Sequence, residues 1–518
     1  MRLLKPVIGC LILISGCAWI PEGDKPAEFM TAPSMDHALS AAHAGKTFAA
    51  SFHWPNEEWW QEFGSPELNG LMQLALKDNP GLKAASDRVR QADALARVEG
   101  ARLLPFLDAD ADAGYERYSG NGLVAALTRN HNEGSYLAFG RINLFNLRYE
   151  FDFWGKNRAA LEAAVGEASA ERAETASVRL QLTAALARSY FRGLALRHQL
   201  DLALEMVALR RNLLEVTETR LRLGLDSADP VKEAGIRLDQ AKKREALARN
   251  ELALQRHLIA KLIGQGPDSA EHLFADKINV PQDLTLPDKL PMELLRHRPD
   301  LAAALFRAEA AAQRIKVAKA NFLPTIDLTA FVGVNAIRMT DGGASSLANL
   351  LFSGSSLNYG IAPGLRLPLF EGGRLRAELS AQRAEYDEAV ELYNDTLLGA
   401  IQEVADHLSS WRETRTILET HQRLLSTHHK NLSLAEDRYR TGLDDRRELL
   451  DRRHAVLEQE YVLKTLETGH LITRVDLIES LGGGYSKEIE IIQQLVRHKP
   501  EHPEGFDLYK WLIFSQKD

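Results

Sequence analysis

The sequence predicts a mixed, mainly α-helical fold made of one unit written twice, each unit pairing two β-strands with a long helical hairpin. Three observations carry this. Residues recur at a nearly fixed offset: Pro80, Arg88 and Pro105 match Pro299, Arg307 and Pro324, while Arg220, Gly224, Leu225 and Ile263 match Arg438, Gly442, Leu443 and Leu481. The first set is offset by 219 and the second by 218, too long for a solenoid repeat and suited to a duplicated unit. Four stretches alternate apolar and polar residues with period two, which marks a sheet with two unlike faces. Finally, no proline interrupts residues 106–229 or 369–499, and both runs are rich in Ala, Leu, Glu, Arg and Gln, which are good helix formers.

Whole-chain quantities exclude other classes. The 518 residues are 45% hydrophobic and 26% charged, with a net charge of −8 from 63 basic and 71 acidic side chains. These are values of an ordinary folded chain, not of a disordered, collagenous or disulfide-rich one. No basic block occurs, so nucleic acid is not an expected partner. Beyond the N-terminus no run of 18 apolar residues occurs, so a helical membrane span is not expected.

At the N-terminus, Arg2 and Lys5 precede an apolar stretch, 7–14, and the small residues Ser15 and Gly16. This predicts a secretory signal over 1–16. Of the two cysteines, Cys10 lies in that segment, so the mature chain keeps Cys17 alone and forms no internal disulfide. The run Leu13-Ile14-Ser15-Gly16-Cys17 resembles a bacterial lipobox, which implies a covalent lipid on Cys17 and no other cofactor. Ala18, where an Asp would imply retention at the inner membrane, implies the outer membrane.

An N-terminal segment, 17–65, leads into the first repeat, 66–264, with strands near 105–119 and 142–154 and a helical hairpin over 157–263. A connector, 265–292, precedes the second repeat, 293–484, with strands near 324–336 and 357–370 and a hairpin over 374–481. A polar tail, 485–518, ends the chain. In the first strand Leu107, Ala109, Ala111, Ala113 and Tyr115 oppose Asp108, Asp110, Asp112 and Glu116. In the second, Phe145, Leu147, Tyr149, Phe151 and Phe153 oppose Asn146, Arg148, Glu150 and Asp152. Helices of about 66 residues would be roughly 100 Å long, far beyond the globular norm, and suggest coiled-coil packing.

Alternation alone fits either a half-buried soluble sheet or a barrel with lipid outside and a polar lumen. In lipid, four strands cannot stand alone, because unpaired backbone groups cost several kcal/mol each. Two copies would give eight strands and three would give twelve. The aspartate row favours water inside and hence the wider barrel.

The lipobox, the duplicated order of strands and hairpin, and the run Leu367-Pro368-Leu369-Phe370-Glu371-Gly372-Gly373-Arg374 together resemble the TolC/OprM-type outer membrane factors. The resemblance covers roughly 55–485. It implies a homotrimer whose twelve-stranded β-barrel in outer membrane lipid continues into a twelve-helix periplasmic α-barrel, with an equatorial belt from the terminal segments and the connector. It implies a passive duct for efflux or secretion, joined to a periplasmic adaptor and an inner-membrane pump, and not an enzyme. By the same resemblance the second hairpin turn carries the periplasmic gate, matching Glu448 and Asp451. These lie three apart on one helix face, and three copies would ring them into a cation-favouring constriction with raised carboxylate pKa values. Arg447 stands where an apolar residue is usual and either pairs with these acids or points outward. The turns at Gly224-Leu225 and Gly442-Leu443 match adaptor-docking tips and are also plain helix caps. Asp108, Asp110 and Asp112 would line the barrel lumen.

Other chemistry is sparse. His498-Lys499-Pro500-Glu501-His502 has the H-x-x-E-H spacing, but Pro500 denies it the helix that metal binding needs, so no metal is expected. The alternative is a structural coiled-coil envelope lipoprotein without a channel, which would not need bilayer-length apolar strand faces.

Overall fold

The computed structural model describes residues 20–35, 55–117, 119, 136–274, 297–340 and 347–485, without the side chains of 339 and 340. A buried 3-10 turn at Trp59–Phe63 leads into α1 (Pro66–Asp78) and α2 (Pro80–Ala101). Then come β1 (Phe106–Arg117), β2 (Tyr136–Phe151), α3 (Lys156–Arg222) and α4 (Asp229–Leu262). The second half runs α5 (Pro299–Ala320), β3 (Thr325–Thr340), a short α6 (Leu347–Leu351), β4 (Leu357–Arg366), α7 (Arg374–Arg440) and α8 (Arg446–Ser480). Helix ends follow local chemistry: Ser65 and Asn79 accept from the backbone N–H groups of Leu68 and Leu82, and Pro66 and Pro80 occupy the first helical position, where the missing N–H costs nothing.

The four strands form one antiparallel sheet in the order β1-β2-β3-β4. The expected second strand, 142–154, begins six residues earlier and ends three earlier. The end comes early because Asp152 leaves the strand to accept from the N–H groups of Asn157 and Arg158; the missed start traces to a bulge, where the register of β2 shifts between Asn143 and Phe145 against β3. One extra residue reverses the in-out phase. Upstream of it Arg141 and Asn143 share the polar face, and downstream Asn146 and Arg148 do, so no single alternation runs through the strand. The third strand likewise runs to Thr340 rather than 336. The fourth stops at Arg366 rather than 370, two residues before Pro368, which has no N–H for a ladder. The first ends at Arg117 rather than 119.

The helices lie in rows. Near the sheet the order is α2, α3, α5, α7, and farther away it is α4, α3, α8, α7. Alanines line the α3–α5 seam (Ala170, Ala173, Ala302, Ala303), and a Cβ on Gly166 would stand 3.0 Å from that of Ala310. Small residues let these axes approach closely. Midway along α3, where the return helices α4 and α8 end, Trp59, Phe63, Met72, Tyr190, Phe191, Ile259, Phe274 and Val475 belong to the largest buried cluster. Among the described residues, no helix is long and apolar enough to cross a membrane.

Candidate functional site

Both hairpins end in the same device. Gly224 has φ 72° and Gly442 φ 76°, the left-handed region that favours glycine. The next N–H groups, of Leu225 and Leu443, donate back to the carbonyls of Arg220 (2.9 Å) and Arg438 (2.8 Å). That closure turns both leucines outward, 61% and 70% exposed. Each turn is braced by an arginine six residues before an aspartate: Arg220 Nε donates to Asp226 at 2.7 Å and Arg438 Nε to Asp444 at 2.7 Å. These bonds hold both carboxyls below the ordinary aspartate range, Asp226 also through the charge of Arg447.

Arg447, Glu448 and Asp451 line one groove of about 780 Å³ between α7 and α8, yet they face different partners. Arg447 donates to Asp445 at 2.6 Å and reaches across to Asp226 of the first hairpin at 3.0 Å. It thereby ties one tip to the other. Glu448 accepts from Arg452 on its own helix at 2.7 Å. Asp451 accepts from the buried Arg210 of α3 at 2.6 Å, with Arg237 of α4 at 3.5 Å. Asp445 caps α8, accepting from the N–H groups of Arg447 (2.8 Å) and Glu448 (3.2 Å). Its burial alone would raise its pKa, but these bonds and the Arg447 side chain outweigh it and the carboxyl titrates low. Within one chain the acids meet arginines rather than one another. Asp226, Asp444 and Asp445 therefore titrate below the ordinary aspartate range.

Sequence reasoning missed Asp226, Asp444 and Arg210. Asp226 and Asp444 carried a usable signal, since they obey the same 218-residue offset as the arginines that hold them. Arg210 carried none, because its partner lies on another helix, 241 residues away.

At the other end of the helices, Asp108, Asp110 and Asp112 lie in one row on the polar face and find partners on β2. Asn146 donates to Asp108 at 3.4 Å, Asn143 to Asp110 at 3.2 Å, and Arg141 to Asp112 at 3.2 Å through Nε. By register this face also carries Glu116, Arg148, Glu150, Asp327 and Arg366, so carboxylates outnumber arginines six to three. The opposite face carries Leu107, Ala109, Phe145, Leu147, Val332, Tyr359, Ile361 and Leu365 and is largely uncovered, Tyr359 and Ile361 being 73% and 71% exposed. Two aromatic rings lie on the polar side, Phe139 over Gly114 and Phe331 over Gly360.

Cys17 and the 498–502 run lie outside the described residues. Residues 20–35 form an extended strap along α7. Arg383 donates to the Pro21 carbonyl (2.8 Å), Asp387 accepts from the Ala27 N–H (2.8 Å), Asn394 accepts from the Met30 N–H (2.8 Å), and Met35 is buried against Val404 and Trp411. Among the described residues no group of His, Cys, Asp and Glu could hold a metal ion.

A family model described as outer membrane efflux protein matches residues 71–265 and 290–483. The chain is 29% identical over 488 residues to the multidrug resistance outer membrane protein MdtP of Shigella flexneri, covering 93% of this chain and 96% of that protein. Over 392 residues it is 30% identical to the fusaric acid resistance protein FusA of Burkholderia cepacia, covering 73% and 68%. Its fold superposes on the outer membrane protein VceC of Vibrio cholerae with a TM-score of 0.71 at 31% identity, spanning 84% of this chain and all of that one.

Proposed function

The chain belongs to the outer membrane efflux protein family, and on that premise we propose that three copies close head to tail into a passive exit channel across the outer membrane. The observation that carries this is the unfinished state of every layer at both ends. Among the described residues the sheet ends in β1 and β4, each with one unpaired edge. Both helix rows end in α7 on one side and in α2 or α4 on the other. Those end helices expose apolar residues seven apart: Leu247 and Leu254 on α4, 54% and 57% exposed, and Ile417 and Leu424 on α7, 41% and 45% exposed. Heptad spacing of this kind seeks a facing helix. Unlike ends that must meet make a heterologous contact, which closes only as a ring.

In a ring of three the apolar sheet face meets lipid and the aspartate row lines water. Strands of 10 to 16 residues are long enough to span a bilayer when tilted. The chain's own residues then do three things. The polar sheet face keeps a wet, acid-rich conduit. The tips, with Leu225 and Leu443 exposed, present docking knobs to a periplasmic adaptor and, through it, to an inner-membrane pump that supplies the energy. The Arg447–Asp226 link and the Arg210–Asp451 link hold the second hairpin against the first, so Glu448, Asp451 and Arg447 narrow the periplasmic end until the tips part.

The strap supports a lipid anchor on Cys17. Pro21 sits at Arg383, nine residues into α7 and so about 13 Å from its sheet-proximal start. Four residues of chain, if extended, would span about the same distance, so an anchor on Cys17 at the membrane-facing base of the sheet is compatible with the strap. Metabolic labelling with palmitate should mark the wild type and not Cys17→Ser.

The channel reading is tested by purifying the full chain in detergent. It requires the mass of a trimer and ion conductance in planar bilayers. A monomer that stays dispersed without detergent and conducts nothing would overturn it.

A further inference from the structure

Beneath the sheet, all four helices of the upper row line one cavity of about 620 Å³. The end helices α2 and α7 both contribute to it, so the row must curve around it. Its apolar lining is open to one side: Leu95 on α2, 56% exposed, Ala163 and Ala164 on α3, and Val317 on α5. Its charged lining is Glu99, Glu167 and Glu378 against a single Arg314, and Arg314 already serves two acids, Glu167 (2.6 Å) and Glu385 (2.7 Å). Two neighbouring cations are also committed: Arg102 lies 3.2 Å from Glu99, and Arg374 is shared by Glu371 (2.9 Å) and Glu378 (2.6 Å). Counting these neighbours, five carboxylates face three guanidinium groups. The volume is that of a small-molecule site, where an apolar surface supplies contact and a few polar groups set orientation.

We propose that this cavity is a binding site for amphipathic organic cations of small-molecule size. The aliphatic lining takes the apolar body and the surplus carboxylates hold the positive charge near the rim. A neutral molecule of the same shape gains only the apolar lining, and an anion meets uncompensated acids. The walls come from one protomer, so binding itself does not need the channel; access from the conduit rests on the exit-channel reading above.

The test uses the purified full chain and equilibrium dialysis of tetraphenylphosphonium, corrected with a detergent blank, beside uncharged triphenylphosphine oxide. Glu99→Gln with Glu378→Gln should weaken the cation roughly fivefold to tenfold, as two partly screened ion contacts would, and leave the neutral probe unchanged. Ala381→Trp, which fills the cavity from an exposed helix face, should abolish saturable binding of both while conductance shows the protein still assembled. No saturable tetraphenylphosphonium binding to the wild type, or equal binding by all three proteins, would overturn the site. Failure of the wild type to conduct would instead strike the channel reading and leave the binding result standing.

Discussion

Replacing Arg210 by Met tests whether the second hairpin is held shut by its charge ladder. Arg210 is 8% exposed, and its guanidinium is the nearer of two donors to Asp451, 2.6 Å against 3.5 Å for Arg237. Methionine keeps most of the apolar stem packed against α3's neighbours and removes the charged head, so the fold should survive. A charge-assisted hydrogen bond contributes about 1.5–3 kcal/mol. Because the Asp451 side chain is 40% exposed, screening reduces this to about 1 kcal/mol per copy. In the proposed trimer, three copies acting on one constriction would lose about 3 kcal/mol, a shift of roughly a hundredfold between shut and open forms. The assay is open probability and conductance in planar bilayers at fixed salt, with a thermal melt to show that the trimer remains folded. A folded trimer with wild-type conductance and open probability would refute the idea that this pair holds the aperture.

Three further predictions address the other parts. Asp226 and Asp444 titrate below their ordinary value of 3.8, so their braces are fully present above about pH 4 and are lost as pH falls through the lowered values; conductance should be flat from pH 8 to 5 and rise only below 4, and Asp226→Asn should remove much of that rise. Ile361→Lys, on the uncovered apolar face of β4, should cost about 2–4 kcal/mol if it sits near the bilayer midplane and reduce assembled protein in the outer membrane, whereas a lysine at Asn358 on the polar face should assemble normally. Gly193→Ala would set a methyl carbon 2.0 Å from the Phe274 ring in the main buried cluster; such overpacking costs about 1–3 kcal/mol and should lower the melting temperature without changing single-channel conductance.

Much of the architecture was legible because it rests on local rules repeated over long stretches. A proline-free run of helix formers becomes a 67-residue helix in each unit, and a glycine at the expected place ends it. The sheet faces were legible wherever period two held. They were lost where one extra residue at the β2 bulge reversed the phase, since alternation carries no record of its partner's register. The tips were half legible. Gly224, Leu225, Gly442 and Leu443 announce a turn by their chemistry, but whether Arg447 meets Asp445, Glu448 or a residue of the other hairpin depends on how two distant helices pack. The same applies to Asp451, whose neighbours on its own helix say nothing of Arg210.

The duplication itself explains why the two tips can be linked. At the 218-residue offset Arg220, Gly224, Leu225 and Asp226 equal Arg438, Gly442, Leu443 and Asp444, so the turn and its brace are common to both units. Just beyond, the units part. Asp445, Arg447, Glu448 and Asp451 correspond to Ser227, Asp229, Pro230 and Glu233. Had both copies kept an aspartate at the Arg447 position, Asp226 would have had no cation from across the gap. The link requires one unit to supply the arginine and the other the brace aspartate it reaches, and only the second unit has the arginine. Exchanging the charges, Arg447→Asp together with Asp226→Arg, should therefore restore a closed tip that either single change opens. It can do so only in part, because Asp226 also braces its own turn through Arg220. A double variant no more closed than the single ones would mean that Asp226 acts through its own turn and that the pair across the gap is incidental.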